Sequence, residues 1–582
     1  MSDSRTNPSG HPARPAASTA AAPAPSGAPA TPLAPFDPVY QHHPSRRYPV
    51  YARGGMVNCS SPQAAAAGLE ALRAGGTAVD AAVAAAAALT VVEPTANGIG
   101  SDAFALVWSA RDQKLYGLNS SGPAPSAISI ERVVADSRTE DGRMPKLGWT
   151  PVTVSGAPGA WAALTGRFGR RSLADNLAPA VRYARDGYPC APNLSLMWQR
   201  SYDKYAPLAG EDAFSEWFTT FAPQGRAPLA GELVRLLHHA DTLEAIGATD
   251  AAAFYTGDIA RAIDADSRAH GGYLRYEDLA AFEPRWVEPL SVDYHGYTVC
   301  EIPPNGQGIA ALMALGTLAA LDESGTPATA RGAGVAPELA THRRIEAMKL
   351  AFADAFAHVT DPDRMDVDPH ELLSPELCAQ RAARIGERAQ DFGPTLPPHS
   401  NTVYLCCADA EGNMVSYIQS NYMGFGSGIV VRGTGVSLQN RGHDFSLDPT
   451  AANALAPGKR TYHTIIPGFL MRNGRPVGPF GVMGGYMQPQ GHVQVVCNYV
   501  DERLDPQQAL DAPRWQWLRD GSLIVEDRFD AELARKLARR GHRVRVELDT
   551  SEFGRGQMIV RLPNDTLVGG CESRTDSLIA CW

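Results

Sequence analysis

The sequence predicts an α+β fold, and three observations carry that expectation: helical spacing of apolar residues through most of 151–390, a strand at 103–109, and strands that take over after Thr402. In chain order, residues 1–35 are dominated by Ala, Pro, Ser, Thr and Gly, which bury too little apolar surface to offset ordering entropy, so a disordered tail is expected. Residues 62–75 and 77–92 read as two helices separated by Gly75-Gly76. The alanine-rich stretch 81–92 is shorter than the roughly 20 residues a membrane span needs, and a buried helix accounts for it. A loop at 93–101 leads into the 103–109 strand. Further on, 173–188, 229–246 and 338–356 have the apolar spacing of amphipathic helices, whereas 291–300 reads as a single strand. No internal repeat is found.

The segment richest in chemistry is 402–420. Thr402-Val-Tyr-Leu-Cys-Cys-Ala-Asp409 and Asn413-Met-Val-Ser-Tyr-Ile-Gln-Ser420 alternate as half-buried strands do, and Asp409-Ala-Glu-Gly412 between them carries turn chemistry. Folding at that turn sets the Thr402 and Ser420 hydroxyls side by side. Upstream, Pro394-Thr-Leu-Pro-Pro-His-Ser-Asn401 resists regular structure, which predicts an exposed linker ending at the Asn401–Thr402 bond, a candidate for scission. A hydroxyl that follows a strained peptide can attack the preceding carbonyl, convert amide to ester and, after hydrolysis, leave a free α-amine. With an ordinary pKa of about 7.7 to 8.0, that amine can act as base for its own hydroxyl. On the hairpin alone, a threonine that merely starts a strand is the better account, since threonine is favoured in strands.

The flanking motifs shift that balance. His399-Ser-Asn-Thr-Val-Tyr-Leu-Cys-Cys-Ala-Asp409, Gly412-Asn413, Gly424-Phe-Gly-Ser-Gly428 and Asn440-Arg-Gly-His-Asp-Phe445 together resemble the γ-glutamyltransferase (glutathione hydrolase) family of N-terminal-nucleophile hydrolases. The resemblance continues in Pro457-Gly-Lys-Arg460, Ile466-Pro467 and Gly484-Gly485, and upstream in Glu93-Pro94 with Gly98-Ile-Gly100, Ala157-Pro-Gly159, Pro303 to Gly308, and Ile345-Glu-Ala-Met-Lys-Leu-Ala-Phe-Ala-Asp354. It covers roughly residues 45–582. It implies a four-layer αββα sandwich, self-cleavage into a large subunit (36–401) and a small subunit (402–582) that stay together as one interwoven domain, and Thr402 as nucleophile.

The resemblance also assigns the site. Ser420 takes the place of the family's second hydroxyl residue, usually threonine, which orients the nucleophile; Gly484 and Gly485 match the pair whose backbone N–H groups face the oxyanion. Substrate recognition departs from the family pattern. The usual arginine falls in Leu118-Asn-Ser-Ser-Gly-Pro-Ala-Pro125, at Ser121, the serine pair becomes His463-Thr464, the acidic or amide residue before Asp444 becomes Arg441, and only Asp444 remains of the amine contacts. A guanidinium beside Asp444 repels an α-ammonium and welcomes a carboxylate, which points to a short carboxylate-bearing acyl group without an α-amine. A structural ion pair for Arg441 and a core role for His463 are equally compatible with the sequence. Oxamate-type and γ-glutamyl amides such as glutathione therefore both stand as substrates.

A net charge of −10 and a pI near 5.9, without a basic run interleaved with aromatics, argue against nucleic acid. The expected partners are a small-molecule amide and the two pieces of one precursor, with higher assembly open; no membrane partner is expected. No cofactor or metal is required: Gly424 to Gly428 lacks dinucleotide-binding spacing, there is no Gly-x-Ser-x-Gly elbow, and the His42-His43 and His238-His239 pairs lack ligand spacing and read as exposed. Nine cysteines without a Cys-x-x-Cys pair give no disulfide framework, and adjacent Cys406 and Cys407 read as buried on opposite faces of their strand. The first 35 residues lack a charged segment followed by a continuous apolar one, so a cytoplasmic location is expected, although many members of the family are exported. From a different class, an unprocessed homologue serving as a binding or scaffold protein also remains.

Overall fold

The computed structural model describes residues 47–136, 138–323, 335–392, 402–518 and 520–582. The expected tail at 1–35 and the linker 394–401 lie outside the described residues, as do His42 and His43. Before residue 302 the strands that build the central sheets are β1 (Val50–Ala52), β2 (Gly55–Cys59), β3 (Asp102–Ser109), β4 (Lys114–Ser120), β5 (Arg285–Val287), β6 (Leu290–Tyr294) and β7 (Tyr297–Glu301). After Thr402 come β8 (Val403–Asp409), β9 (Met414–Ser420), β10 (Gly468–Arg472), β11 (Arg475–Met483), β12 (Arg555–Arg561), β13 (Leu567–Cys571) and β14 (Leu578–Cys581). They form two seven-stranded sheets, one ordered β14-β2-β8-β9-β3-β4-β5 and the other β1-β13-β12-β11-β10-β7-β6.

The two sheets pack face to face over Phe104, Leu106, Tyr404, Cys406, Ile418, Phe469 and Ile559. Helices cover the outer faces. Over the first sheet lie α1 (Pro62–Arg73), α2 (Ala78–Val92), α3 (Leu173–Asp186) and α4 (Leu237–Ala248), packed on Val57, Val107, Val403 and Leu405. Over the second lie α5 (Gly308–Glu323), α6 (Pro337–His358) and α7 (Met487–Val500), packed on Val299, Leu470 and Val482. This is the four-layer αββα sandwich that the resemblance implies. None of the described helices is long and apolar enough to cross a membrane.

Local chemistry explains the elements nearest the site. Thr77 and Asp80 form a capping box at the start of α2, and every residue of that helix is buried, as its alanine content suggests. Asp409 Oδ2 accepts from the Ala78 backbone N–H at 2.8 Å, which ties the β8–β9 turn to the first turn of α2. The same carboxylate accepts from Asn413 N and Nδ2 at 2.9 and 2.8 Å, and Gly412 takes the φ of +97° that closes the turn.

Three sequence expectations need correction. The 291–300 strand is a hairpin, β6 and β7, joined at His295 and Gly296 with φ of +48° and +81°, the paired left-handed conformations of a two-residue turn. The helix expected at 229–246 begins only at Leu237, because Leu233–Val234 pairs instead with Tyr188–Pro189. His239, read as exposed, is fully buried, and burial pushes its pKa down to about 3. Cys406 and Cys407 are buried on opposite sheet faces as expected.

Candidate active site

Thr402 immediately precedes β8 and Ser420 ends β9. Continuing the register from Val403↔Gln419 by one pair sets them opposite each other, and Thr402 Oγ1 lies 3.0 Å from Ser420 Oγ. Both residues are fully buried, and Ser420 Oγ also accepts from the Tyr422 backbone N–H at 2.8 Å. Tyr404, Cys406 and Ala408 belong to the inter-sheet core and Val403, Leu405 and Cys407 to the helix-facing one, so alternation turns Thr402 into the gap between the sheets. Ser420 pairs with Asp102 on β3, and Ala103 with Ser120 on β4. One row across the sheet therefore carries Thr402, Ser420, Asp102 and Ser121. Asn401 lies outside the described residues.

The second sheet brings β11 over this hairpin: a Cβ at Gly481 would fall 2.5 Å from the Tyr404 ring. Three residues on, Gly484 and Gly485 link β11 to α7 with φ of +131° and +60°; the first conformation is open essentially to glycine. Gly485 O accepts from Gln307 Nε2 at 2.8 Å, which anchors the turn.

Arg441 is fully buried in the short turn Arg441–Asp444. Its Nη1 donates to Thr464 Oγ1 at 2.7 Å and sits 3.5 Å from Asp444 Oδ2; its Nε is 3.7 Å from Asp102 Oδ2, and its Cζ lies 4.1 Å from the Tyr422 ring centre. Nε and Nη2 have no hydrogen-bond partner among the described residues, and neither does Asp444 Oδ2. Asp444 Oδ1 accepts from the Tyr422 hydroxyl at 2.6 Å and from that of Tyr486 at 3.4 Å. The guanidinium thus stands at ion-pair distance from two acids while Nε and Nη2 make no hydrogen bond among the described residues.

His463 is engaged on both sides. Its Nδ1 accepts from Ile465 N at 3.3 Å, so the neutral ring carries its proton on Nε2, which donates to Asp102 Oδ2 at 2.9 Å. Burial, with Arg441 nearby, holds its pKa well below the usual value. Burial also pushes Asp102 up to about 7 against the pull of Arg441, and raises Asp444. Ser121 Oγ donates to Asn119 Oδ1 at 2.7 Å and accepts from Asn305 Nδ2 at 3.2 Å, and Ser121 O accepts from Arg460 Nε at 3.0 Å.

Sequence reasoning brings together Thr402 with Ser420, and Arg441 with Asp444 and Thr464. It overlooks Asp102, Tyr422, Asn305 and Arg460. The one available signal for Asp102 is an acid at the head of an otherwise apolar strand; Tyr422 and Asn305 carry none. For a metal, one cluster among the described residues brings three donors within 4.8 Å of one another: His342, Glu346 and His542. Its members are already spent, since His342 Nδ1 and His542 Nε2 share a hydrogen bond of 2.8 Å and Glu346 pairs with Lys349 at 2.7 Å.

Comparison with known proteins places this geometry. The family model described as Gamma-glutamyltranspeptidase matches residues 64–582. The chain is 35% identical over 524 residues to the glutathione hydrolase-like YwrD proenzyme of Bacillus subtilis, covering 88% of this chain and 95% of that one. It is 34% identical over 545 residues to the oxamate amidohydrolase proenzyme of Klebsiella pneumoniae, covering 90% and 98%. Among solved structures, a cephalosporin acylase from Bacillus halodurans superposes with a TM-score of 0.88 at 53% identity, covering 94% of this chain and 99% of that one. The chain belongs to the gamma-glutamyltranspeptidase family of self-processing amide hydrolases.

Proposed function

We propose that the chain cleaves itself at the Asn401–Thr402 bond and that the new N-terminal threonine hydrolyses a small dicarboxylic monoamide, of which oxamate is the shortest. In this reading Thr402 Oγ1 attacks the amide carbonyl while the Thr402 α-amine takes the hydroxyl proton and passes it to the leaving nitrogen. Ser420 orients the nucleophile, the Gly484 and Gly485 N–H groups receive the oxyanion, and water resolves the acyl-enzyme. Arg441 takes the free carboxylate of the acyl group. The observation that supports this choice is the buried guanidinium whose Nε and Nη2 make no hydrogen bond to any of the described residues. His463 and Thr464 act behind it, the first holding Asp102 and the second Arg441.

A γ-glutamyl substrate is the second reading. Asp444, retained beside the guanidinium, and the glutathione hydrolase-like relative favour it. An α-ammonium brought there meets Arg441 as well as Asp444, which disfavours it.

Matured protein offered oxamate, succinamate, glutathione and γ-glutamyl anilide separates the two. Ammonia release from the monoamides at least tenfold above glutathione turnover is expected; glutathione turnover without oxamate turnover overturns the assignment. Denaturing electrophoresis tests the processing step, with two pieces expected from the native sequence and one from Thr402→Ala. An intact native chain under maturing conditions marks a binding or scaffold protein instead.

A further inference from the structure

Asp102 opens β3 opposite Ser420 and is fully buried. Its Oδ2 accepts from His463 Nε2 at 2.9 Å and stands 3.7 Å from Arg441 Nε, and its Oδ1 meets the Gly122 N–H at 3.4 Å. The other charged or titratable groups that face it are Arg460, whose Nε donates to Ser121 O at 3.0 Å, and the Tyr255 hydroxyl, which burial keeps protonated. Thr402 lies two strands away in the same row, so the α-amine that cleavage frees joins this neighbourhood.

The charges here do not balance once a substrate arrives. Among the described residues, Arg441 is the permanent cation at ion-pair distance from both Asp102 and Asp444, at 3.7 and 3.5 Å, and His463 is neutral. A carboxylate brought to Arg441 sets three anions around one guanidinium. An uncompensated buried charge is costly, and the acid least supported in its ionised form takes a proton instead. Asp444 is well supported: it accepts from the Tyr422 and Tyr486 hydroxyls at 2.6 and 3.4 Å, and it lines a cleft of about 850 Å³ with two further cations, Arg143 and Lys146. Asp102 has only a neutral ring and one distant backbone N–H as hydrogen-bond donors. Burial already pushes it up to about 7 against the pull of Arg441, so a third anion nearby carries it through neutrality.

We infer that Asp102 is a positioning residue that makes acyl binding proton-linked: as the substrate carboxylate reaches Arg441, one proton passes from water to the Asp102 carboxyl, and it returns to water when the acyl group leaves. The inference rests on the reading of Arg441 as the seat of the acyl carboxylate. Oδ2 is engaged by His463, so the proton goes to Oδ1. Ionised, Asp102 anchors the guanidinium and the imidazole before substrate arrives; protonated, it yields the charge of Arg441 to the substrate. The binding form is the protonated one, which is fully populated below a pKa of about 7 and is depleted about tenfold for each pH unit above it. The pocket therefore selects a carboxylate-bearing acyl group most strongly on the acid side of neutrality.

Calorimetric titration of the matured protein with pyruvate and 4-oxopentanoate tests the linkage. These methyl ketones match oxamate and succinamate in shape and present no amide to cleave. Run in two buffers of different ionisation enthalpy, the titration should report uptake of about one proton per bound probe at about pH 8 and close to none at about pH 5.5, with affinity falling about tenfold per pH unit above 7. Infrared difference spectra, with the ketone carbons isotopically labelled, should show a protonated carboxyl gained on binding, a signal that an α-amine does not give. Asp102→Asn should remove the uptake and hold the affinity within about threefold between pH 6 and 8, whereas Asp444→Asn should keep both the uptake and the carboxyl band. Binding without proton uptake at pH 8 overturns the inference, and so does uptake without the carboxyl band. Uptake that survives Asp102→Asn or disappears in Asp444→Asn overturns it too. If Asp102→Asn does not fold, the native titration, the carboxyl band and Asp444→Asn still decide. Failure of both probes to bind at any pH, or binding unchanged in Arg441→Lys, defeats the placing of the acyl carboxylate on Arg441, and the inference falls with it.

Discussion

Replacing Ser420 by alanine probes the centre of the site with a single atom. Ser420 Oγ lies 3.0 Å from Thr402 Oγ1 and accepts from the Tyr422 backbone N–H at 2.8 Å, in a fully buried setting. Its loss strands the Tyr422 N–H, which costs about 1–3 kcal/mol of stability, and removes a neutral hydrogen bond from the attacking hydroxyl, worth about 1–1.5 kcal/mol. If that second amount appears in the barrier, self-cleavage slows roughly tenfold, and turnover of matured enzyme falls by a similar factor. Time courses of precursor disappearance on denaturing gels give the first number, and urea unfolding of the precursor trapped by Thr402→Ala, with and without Ser420→Ala, gives the stability term. Ser420→Thr keeps the hydroxyl and should process within about threefold of the native rate. Ser420→Ala maturing as fast as the native protein, despite a measured loss of stability, would refute the orienting role.

Arg441→Lys keeps a charge between Asp102 and Asp444 but loses the planar fork, so kcat/KM for oxamate should fall about 100-fold with the folded protein retained; a fall below threefold removes Arg441 from acyl selection. Asp409→Ala frees the donors of Ala78 and Asn413 at the β8–β9 turn and should cost about 3 kcal/mol in urea unfolding, with Asp409→Asn recovering part of it. Glu93 provides a pH test. Its folded pKa of about 7 exceeds its ordinary value of 4.5, so the stability it contributes is complete below 4.5 and is lost as pH rises through 7, about 3 kcal/mol in all. Glu93→Gln should flatten the fall in unfolding free energy between pH 4.5 and 8, leaving the part due to Asp102, Asp444 and the other buried carboxyls whose pKa burial raises; parallel curves for the two proteins contradict the buried, raised carboxyl.

The legible parts of the fold are those in which local pattern and tertiary context agree. The β8–β9 hairpin shows both the alternation of a strand and the Asp-to-Gly chemistry of a turn, and the observed register sets Thr402 opposite Ser420. Helix α2 is legible from its alanines, since a helix packed on every side needs small residues. The β6–β7 turn is missed because His295-Gly296 interrupts neither the apolar content nor the length of the stretch, although Gly after a residue able to adopt positive φ is a hairpin signal. His239 is misread because nothing in a His-His pair tells which ring the core will enclose. The proposed acyl pocket is half legible. Arg441 and Asp444 are close in sequence, whereas Asp102 reaches them only through strand order, from more than 300 positions away.

In the first sheet, β8 and β9 are flanked by β2 and β3, strands that belong to the opposite side of the proposed cut. Before scission the ladders join parts of one molecule, so recovery after denaturation is independent of dilution. Afterwards the same ladders join two molecules, and renaturation becomes a second-order encounter that dilution defeats. Activation by peptide cleavage would therefore also work as a ratchet: each activated copy persists for the lifetime of its first assembly, and thermal damage that an uncut precursor can repair becomes permanent.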